Sequence, residues 1–133
     1  MNFVTPVGFR DVMSDEALVR ENLTFRVQRC FSAQGYLPIE TPTLEVLDVM
    51  EAGGHVPEAP FKFFDSHGDL LAMRPDVTMQ IARMCATRLN PAEEPIRLRY
   101  TQRVFREKTA EAAAREITQL GVESVGESGV KAD

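Results

Sequence analysis

Residues 97–125 read RLRYTQRVFREKTAEAAAREITQLGVESV, and this stretch decides the fold. Side chains alternate in strand fashion over residues 97–106 and again over 115–125, which predicts two strands. A short alanine-rich link, TAEAAA at residues 109–114, separates them. The pattern therefore predicts an antiparallel strand pair.

The second predicted strand carries a distinctive polar face. Gln119, Gly121 and Glu123 point to one side because successive strand residues alternate, whereas Leu120 and Val122 point to the other and are expected to enter the core. An amide, a residue without a side chain and a carboxylate suit a polar ligand that approaches the sheet closely. Gln and Glu are equally ordinary on a solvated sheet face, so the pattern alone leaves both interpretations open.

Basic residues are concentrated in this hairpin. Residues 97–115 contain six Arg or Lys against two Glu, although the whole chain has a formal net charge of −5. Guanidinium groups bind phosphate or carboxylate through paired hydrogen bonds, but a solvated charged strand fits the same composition. The overall negative charge argues against a generally cationic nucleic-acid surface.

A second candidate site is the stretch LLAMRPDVTMQ, residues 70–80. Arg74 ends a predicted strand, and a helix is predicted to run from Asp76 to about Leu89. Strand-to-helix junctions collect polar groups and expose backbone N–H donors. A simple N-cap by Asp76 explains the same residues.

Three further elements are predicted. Residues 14–34 form an amphipathic helix with Ser14 as N-cap, and Gly35 ends it. Residues 36–45, YLPIETPTLE, form an extended edge segment, and residues 61–73 form a hairpin around Gly68. The apolar face of the helix consists of Val19, Leu23, Val27, Cys30 and Phe31.

The composition points to one globular domain of 133 residues with 44% hydrophobic residues. Cys30 and Cys85 are predicted to be reduced core thiols, and His55 and His67 to be exposed loop residues. These assignments predict no metal site and no bound cofactor. No signal peptide and no apolar run of membrane-spanning length is visible, so a cytoplasmic location is expected.

Three motifs in this order resemble histidyl-tRNA synthetase-like proteins of class II over nearly the whole chain: TPVGFRD (5–11), RPDVT (74–78) and FREK…REITQLGVESVG (105–126). Residues 14–45 are similar to motif 1, through which this class forms dimers, and residues 97–125 to motif 2. The resemblance implies an α+β domain, with helices flanking an antiparallel sheet that binds ligands on one face. Family members run well beyond this length, so residues 1–133 are expected to be the N-terminal portion of a truncated domain.

The resemblance also implies a histidine pocket, formed by Asp76, Thr78, Arg106, Gln119 and Glu123. In the family, the residue matching Arg106 contacts the α-phosphate and the amino-acid carboxylate. Those matching Asp76 and Thr78 hold the histidine, although the family typically has Glu at the first position. Those matching Gln119 and Glu123 recognise the ammonium and imidazole groups.

The hairpin link departs from the family pattern. Working histidyl-tRNA synthetases typically read FRxERPQxGRxRxFxQ here, whereas this chain has Lys108 in place of the Glu and TAEAAA in place of RPQxGR. Arg115 alone remains of the second arginine cluster, as a candidate anion or phosphate contact. Adenylate transfer needs charge stabilisation at the phosphates, which alanines do not supply.

The chain therefore looks more like the paralogues that serve as regulatory subunits of short-form ATP phosphoribosyltransferase in histidine biosynthesis. The resemblance implies a non-catalytic protein that senses histidine as an effector and partners the short catalytic subunit. It implies a homodimer through the motif 1 region and no tRNA partner. The alternatives are a histidyl-tRNA synthetase, in which the same residues serve adenylation, and a truncated domain that only dimerises.

Overall fold

A computed structural model describes residues 4–53, 60–107 and 114–129 of the chain. Its helices are α1 (Ser14–Ala33), α2 (Leu47–Ala52) and α3 (Thr78–Arg88). Its strands are β1 (Leu37–Pro38), β2 (Leu44–Val46), β3 (Lys62–Phe64), β4 (Leu70–Met73), β5 (Ile96–Phe105) and β6 (Glu116–Val125). The predicted hairpin of residues 97–125 is confirmed to within one residue at each observed strand end.

The first sheet has the strand order β1-β5-β6. β5 and β6 pair antiparallel over their whole length, but β1 joins β5 in parallel, with Leu37 opposite Leu98. The expected antiparallel pairing is confirmed for β5 and β6, whereas β1 pairs in parallel because a long connection through β2, α2, β3, β4 and α3 separates it from β5. β1 lies at the sheet edge, as predicted, where Pro38 is tolerated.

The second sheet has the order β2-β4-β3 and is antiparallel throughout. The predicted hairpin at residues 61–73 is confirmed, since β3 and β4 are joined by a turn in which Gly68 has a φ of 87°. Asp65 holds this turn because its Oδ1 accepts the backbone N–H groups of His67 and Asp69.

The main hydrophobic core lies between α3 and the first sheet. It contains Val77, Ile81, Cys85, Leu98, Tyr100 and Val104. Because Leu98 pairs with Glu123 and Tyr100 with Gly121, this core lies on the sheet face that carries Gln119, Gly121 and Glu123. The expectation that Leu120 and Val122 enter the core is therefore wrong: both are only partly buried and lie on the opposite face.

The opposite sheet face meets the C-terminal half of α1. Gln28 donates from Nε2 to Thr101 Oγ1 and to the Tyr100 carbonyl, both at 2.8 Å. The N-terminal half of α1 has no such cover, and the side chains of Val19 and Leu23 are 66% and 58% exposed. The predicted apolar helix face is therefore only partly buried.

Two cysteine predictions have different outcomes. Cys85 is buried as predicted, and burial, followed by the charge of Glu123, raises the pKa of its thiol. Cys30 is exposed, so its assignment to the core is wrong. Helical spacing grouped Cys30 with the apolar face, but this position turns away from the sheet.

The helix starts also differ from the predictions. Met13 occupies the N-cap of α1, without a side-chain bond, and Ser14 is the first helical residue. α3 begins at Thr78 with Val77 at its N-cap, two residues later than predicted, but Asp76 Oδ1 still accepts the Met79 N–H of the first turn at 3.1 Å. No helix within the described ranges is both long enough and apolar enough to cross a membrane.

Candidate functional site

Thr78 and Glu123 meet where α3 begins above the first sheet. Thr78 Oγ1 donates to Glu123 Oε1 at 2.7 Å, although the two residues are 45 positions apart in sequence. Packing of Val77 and Ile81 against β5 brings the first turn of α3 over this end of β6. Two residues predicted from separate motifs are thus in direct contact.

Tyr100 lies between these residues and Gln119 and was missed by the sequence analysis. Its side chain is 4% exposed, and its ring lies over Gly121, where any side chain would overlap the phenol. Burial, followed by the negative charge of Glu123, raises the pKa of Tyr100. Its position on β5, directly opposite Gly121 in an antiparallel register, is the signal that would have found it.

Gln119 approaches the same phenol from the other side. Its Nε2 lies 3.5 Å from Tyr100 Oη. Its Oε1 is buried and has no hydrogen-bond partner among the residues that the structure describes. An unpaired buried acceptor costs roughly 1–3 kcal/mol, so this oxygen needs a donor that the described residues do not supply.

Arg106 and Asp76 extend the cluster towards the hairpin tip. Arg106 Nε donates to the Pro75 carbonyl at 3.0 Å, which holds the guanidinium beside the start of α3. The negative charge of Asp76 contributes to the raised pKa of Tyr100. Arg106 follows β5 directly, so the predicted pocket residues are distributed along the strands from the tip towards the base of the hairpin.

Arg115 is positioned by a different set of contacts. Its backbone N–H donates to the Gly8 carbonyl at 2.9 Å, and its guanidinium lies 5.9 Å from the centroid of the Phe61 ring. Eight residues of strand separate it from Glu123, about 26 Å at ~3.3 Å per residue. Lys108 and residues 109–113 of the link lie outside the described residues, as does His55.

Of two cavities, one reaches the polar cluster through Asp76 and the other lies beside α1. One of about 360 Å³ runs between α2 and α3 and has mainly apolar walls, including Met50, Met79 and Ala82. The other, of about 860 Å³, lies beside α1 and is lined by Arg10, Arg20 and Arg103 among others. Within the described ranges, no group of three or more His, Cys, Asp and Glu residues is placed to hold a metal ion.

The chain is similar to known proteins over nearly all of its length. The family model described as histidyl-tRNA synthetase matches residues 8–133. Two curated relatives named ATP phosphoribosyltransferase regulatory subunit, from Acetivibrio thermocellus and Symbiobacterium thermophilum, are 38% and 42% identical over 97% and 96% of this chain. The chain covers 32% and 33% of their respective lengths.

A solved structure is similar over the same region. It is the ATP phosphoribosyltransferase regulatory subunit/histidyl-tRNA synthetase from Bacillus halodurans, with a TM-score of 0.83 and 33% identity over 96% of this chain and 33% of that one. The fold is thus that of the class II synthetase-like proteins, as predicted. The chain belongs to the histidyl-tRNA synthetase family. It spans about a third of the length of the curated relatives it matches.

Proposed function

We propose that this chain is part of a regulatory subunit of short-form ATP phosphoribosyltransferase, and that it senses histidine without charging tRNA. The names of the curated relatives at 38% and 42% identity support the regulatory assignment. The sequence TAEAAA, in place of the family's RPQxGR, supports the absence of adenylation. Residues 14–45 and 97–125 serve as motifs 1 and 2 of the family.

One observation carries the ligand assignment: Gln119 and Glu123 both present hydrogen-bond acceptors on the sheet face under α3. Glu123 supplies a carboxylate next to Thr78, and Gln119 supplies an unpaired carbonyl oxygen. Such a set favours a ligand that carries N–H donors and positive charge, as the ammonium group of histidine does. Arg106, towards the hairpin tip, is suited to the ligand's carboxylate.

The partner is the short catalytic subunit of ATP phosphoribosyltransferase. The regulatory subunit relays feedback inhibition by histidine to it and supports its activity, with both proteins in the cytoplasm. Histidine binding at the acceptor cluster is the input, and the activity of the catalytic subunit is the output. Binding can shift that activity only if histidine has different affinities for the two states of the complex.

The second candidate function is histidyl-tRNA synthetase. The family model that matches residues 8–133 is described as histidyl-tRNA synthetase, and this supports it. In this case the same pocket would hold histidine for adenylation. The two functions therefore share a ligand and differ in chemistry.

We expect the complete gene product to show no histidine-dependent pyrophosphate exchange and no charging of tRNA. Added to a short ATP phosphoribosyltransferase catalytic subunit, it should make that activity sensitive to histidine. A bona fide histidyl-tRNA synthetase assayed in parallel is the positive control. Robust tRNA charging by the complete gene product would overturn the regulatory assignment.

We also propose that the subunit forms a homodimer through residues 14–45. Apolar side chains on the N-terminal half of α1 are uncovered: Leu18, Val19, Leu23 and Phe25 are each between 58% and 66% exposed. Several large apolar side chains exposed on one short stretch of helix are typical of an interaction site.

Leu23→Asp is expected to weaken this dimer at least tenfold, because it places a charge where apolar surface would be buried. Light scattering coupled to size-exclusion chromatography of the complete gene product would give the mass. Phe64→Asp, at a 72% exposed position on β3, is the matched control and should leave the mass unchanged. A dimer that tolerates Leu23→Asp would exclude this half of α1 from the interface.

A further inference from the structure

The cavity of about 360 Å³ between α2 and α3 lies on the side of α3 that faces away from the first sheet. Ile81 and Cys85 are the helix residues that pack in the core on that sheet. The cavity is lined from the opposite side of the helix, by Met79, Ala82 and Ala86. It touches the proposed histidine site at Asp76 and otherwise lies beyond α3, away from the face of β5 and β6.

The walls of this cavity are mainly apolar. Val49, Met50 and Ala52 line it from α2, and the small side chains of Ala82 and Ala86 leave it open on the α3 side. Both alanines are exposed, so the cavity can be reached from solvent. Its volume falls within the range of roughly 300–1,000 Å³ that is usual for small-molecule sites. The shape and the walls suit a ligand with a compact apolar body.

Several polar groups in the wall already have partners. Glu45 and Arg83 form an ion pair with an O–N distance of 2.8 Å. Gln80 Oε1 accepts the Thr41 hydroxyl at 2.6 Å, and Gln80 Nε2 donates to the Pro42 carbonyl at 2.7 Å. These groups form a closed set that requires no ligand.

Arg74 lines the same cavity and differs from them, because its charge is not neutralised. Its side chain is 6% exposed and donates to the carbonyl groups of Arg103 and Thr41, which carry no charge. No carboxylate of the described residues pairs with it. Asp76 is also in the wall, but its Oδ1 accepts the Met79 N–H at the start of α3. A buried charge is costly unless an opposite charge accompanies it, so an anionic group beside Arg74 would be favourable.

We propose that the cavity between α2 and α3 binds a small carboxylate with an apolar body, and that Arg74 pairs with the ligand's carboxylate. Guanidinium groups bind carboxylates through charge-assisted hydrogen bonds. The apolar body lies between Met50 on α2 and Ala82 on α3. This site is separate from the proposed histidine site, and it does not depend on the proposed function.

The first test uses 4-methylpentanoate and its neutral amide, 4-methylpentanamide, as probes in NMR titrations of the complete gene product. The acid should bind at least tenfold more tightly than the amide, because only the acid brings a negative charge to Arg74. Excess histidine should leave the acid bound. No binding of the acid, equal affinities of acid and amide, or complete displacement by histidine would each overturn the inference.

The second test fills the cavity. Ala82→Leu should weaken binding of the acid at least tenfold, and it should fold normally because Ala82 is exposed and leucine suits a helix. Ala33→Leu makes the same change at an exposed position at the end of α1 and should leave the affinity unchanged. Binding that survives Ala82→Leu would place the probe elsewhere and overturn the inference. Failure of the wild type to bind histidine would refute the proposed function alone, because the probes are titrated without histidine.

Discussion

Glu123→Gln should weaken histidine binding by roughly 10- to 100-fold, since hydrogen bonds to charged groups contribute about 1.5–3 kcal/mol. The substitution keeps the size of the side chain and an oxygen that can accept the Thr78 hydroxyl, which now donates at 2.7 Å. What it removes is the negative charge that, under the proposed function, faces the cationic group of histidine. Isothermal calorimetry on the complete gene product would measure the change.

Glu116→Gln is the matched control for this experiment. Glu116 lies on the same strand but on the opposite sheet face, where it pairs with the exposed side chain of Arg103. Surface ion pairs of this kind contribute about 0–1 kcal/mol to stability, so the variant should fold normally. Because Glu116 lies on the face away from the proposed ligand, histidine affinity should not change. Equal affinities of wild type and Glu123→Gln would remove Glu123 from the site.

The sequence allowed the hairpin and its polar face to be predicted because both depend on local alternation. Gln119, Gly121 and Glu123 share a face in any regular strand. Alternation does not reveal which face another element will cover, and the core was therefore assigned to the wrong side. The strand β5 indicates which face is buried, because Leu98 and Tyr100 are buried and lie opposite Glu123 and Gly121.

The helical predictions failed for a related reason. Periodicity groups Val19, Leu23 and Cys30 on one side of α1, but the sheet covers only the C-terminal half of this helix, which leaves Val19 and Leu23 exposed. Cys30 lies in the covered half and is exposed because it turns away from the sheet. An apolar stripe predicts that something packs against it, not that the same chain supplies the partner. The parallel pairing of β1 likewise depends on tertiary packing, which no short stretch of sequence determines.

Arg74 was predicted only as a strand end, yet it joins the two sheets. Its side chain is 6% exposed, and burial lowers its pKa. Nε donates to the Arg103 carbonyl at 2.6 Å and Nη1 to the Thr41 carbonyl at 2.7 Å. Its own carbonyl accepts the Phe105 N–H at 2.9 Å. One residue therefore links the end of β4 to β5 and to the segment between β1 and β2.

Arg74→Ala should lower the free energy of unfolding by about 3 kcal/mol, because it removes the donor to the Arg103 and Thr41 carbonyl groups and opens a void where the buried side chain lay. Urea unfolding of the complete gene product, followed by circular dichroism, would measure this.

Arg88→Ala, at an exposed position in the last turn of α3, is the matched control and should change stability by no more than about 0.5 kcal/mol. Arg74→Lys should recover little of the lost free energy of unfolding, since a single ammonium group lacks the planar fork that reaches both carbonyl groups. If Arg74→Ala were as mild as Arg88→Ala, the two sheets would be held by their apolar packing and not by this guanidinium. In that case, the packing of α3 against the first sheet would be sufficient to hold Thr78 next to Glu123.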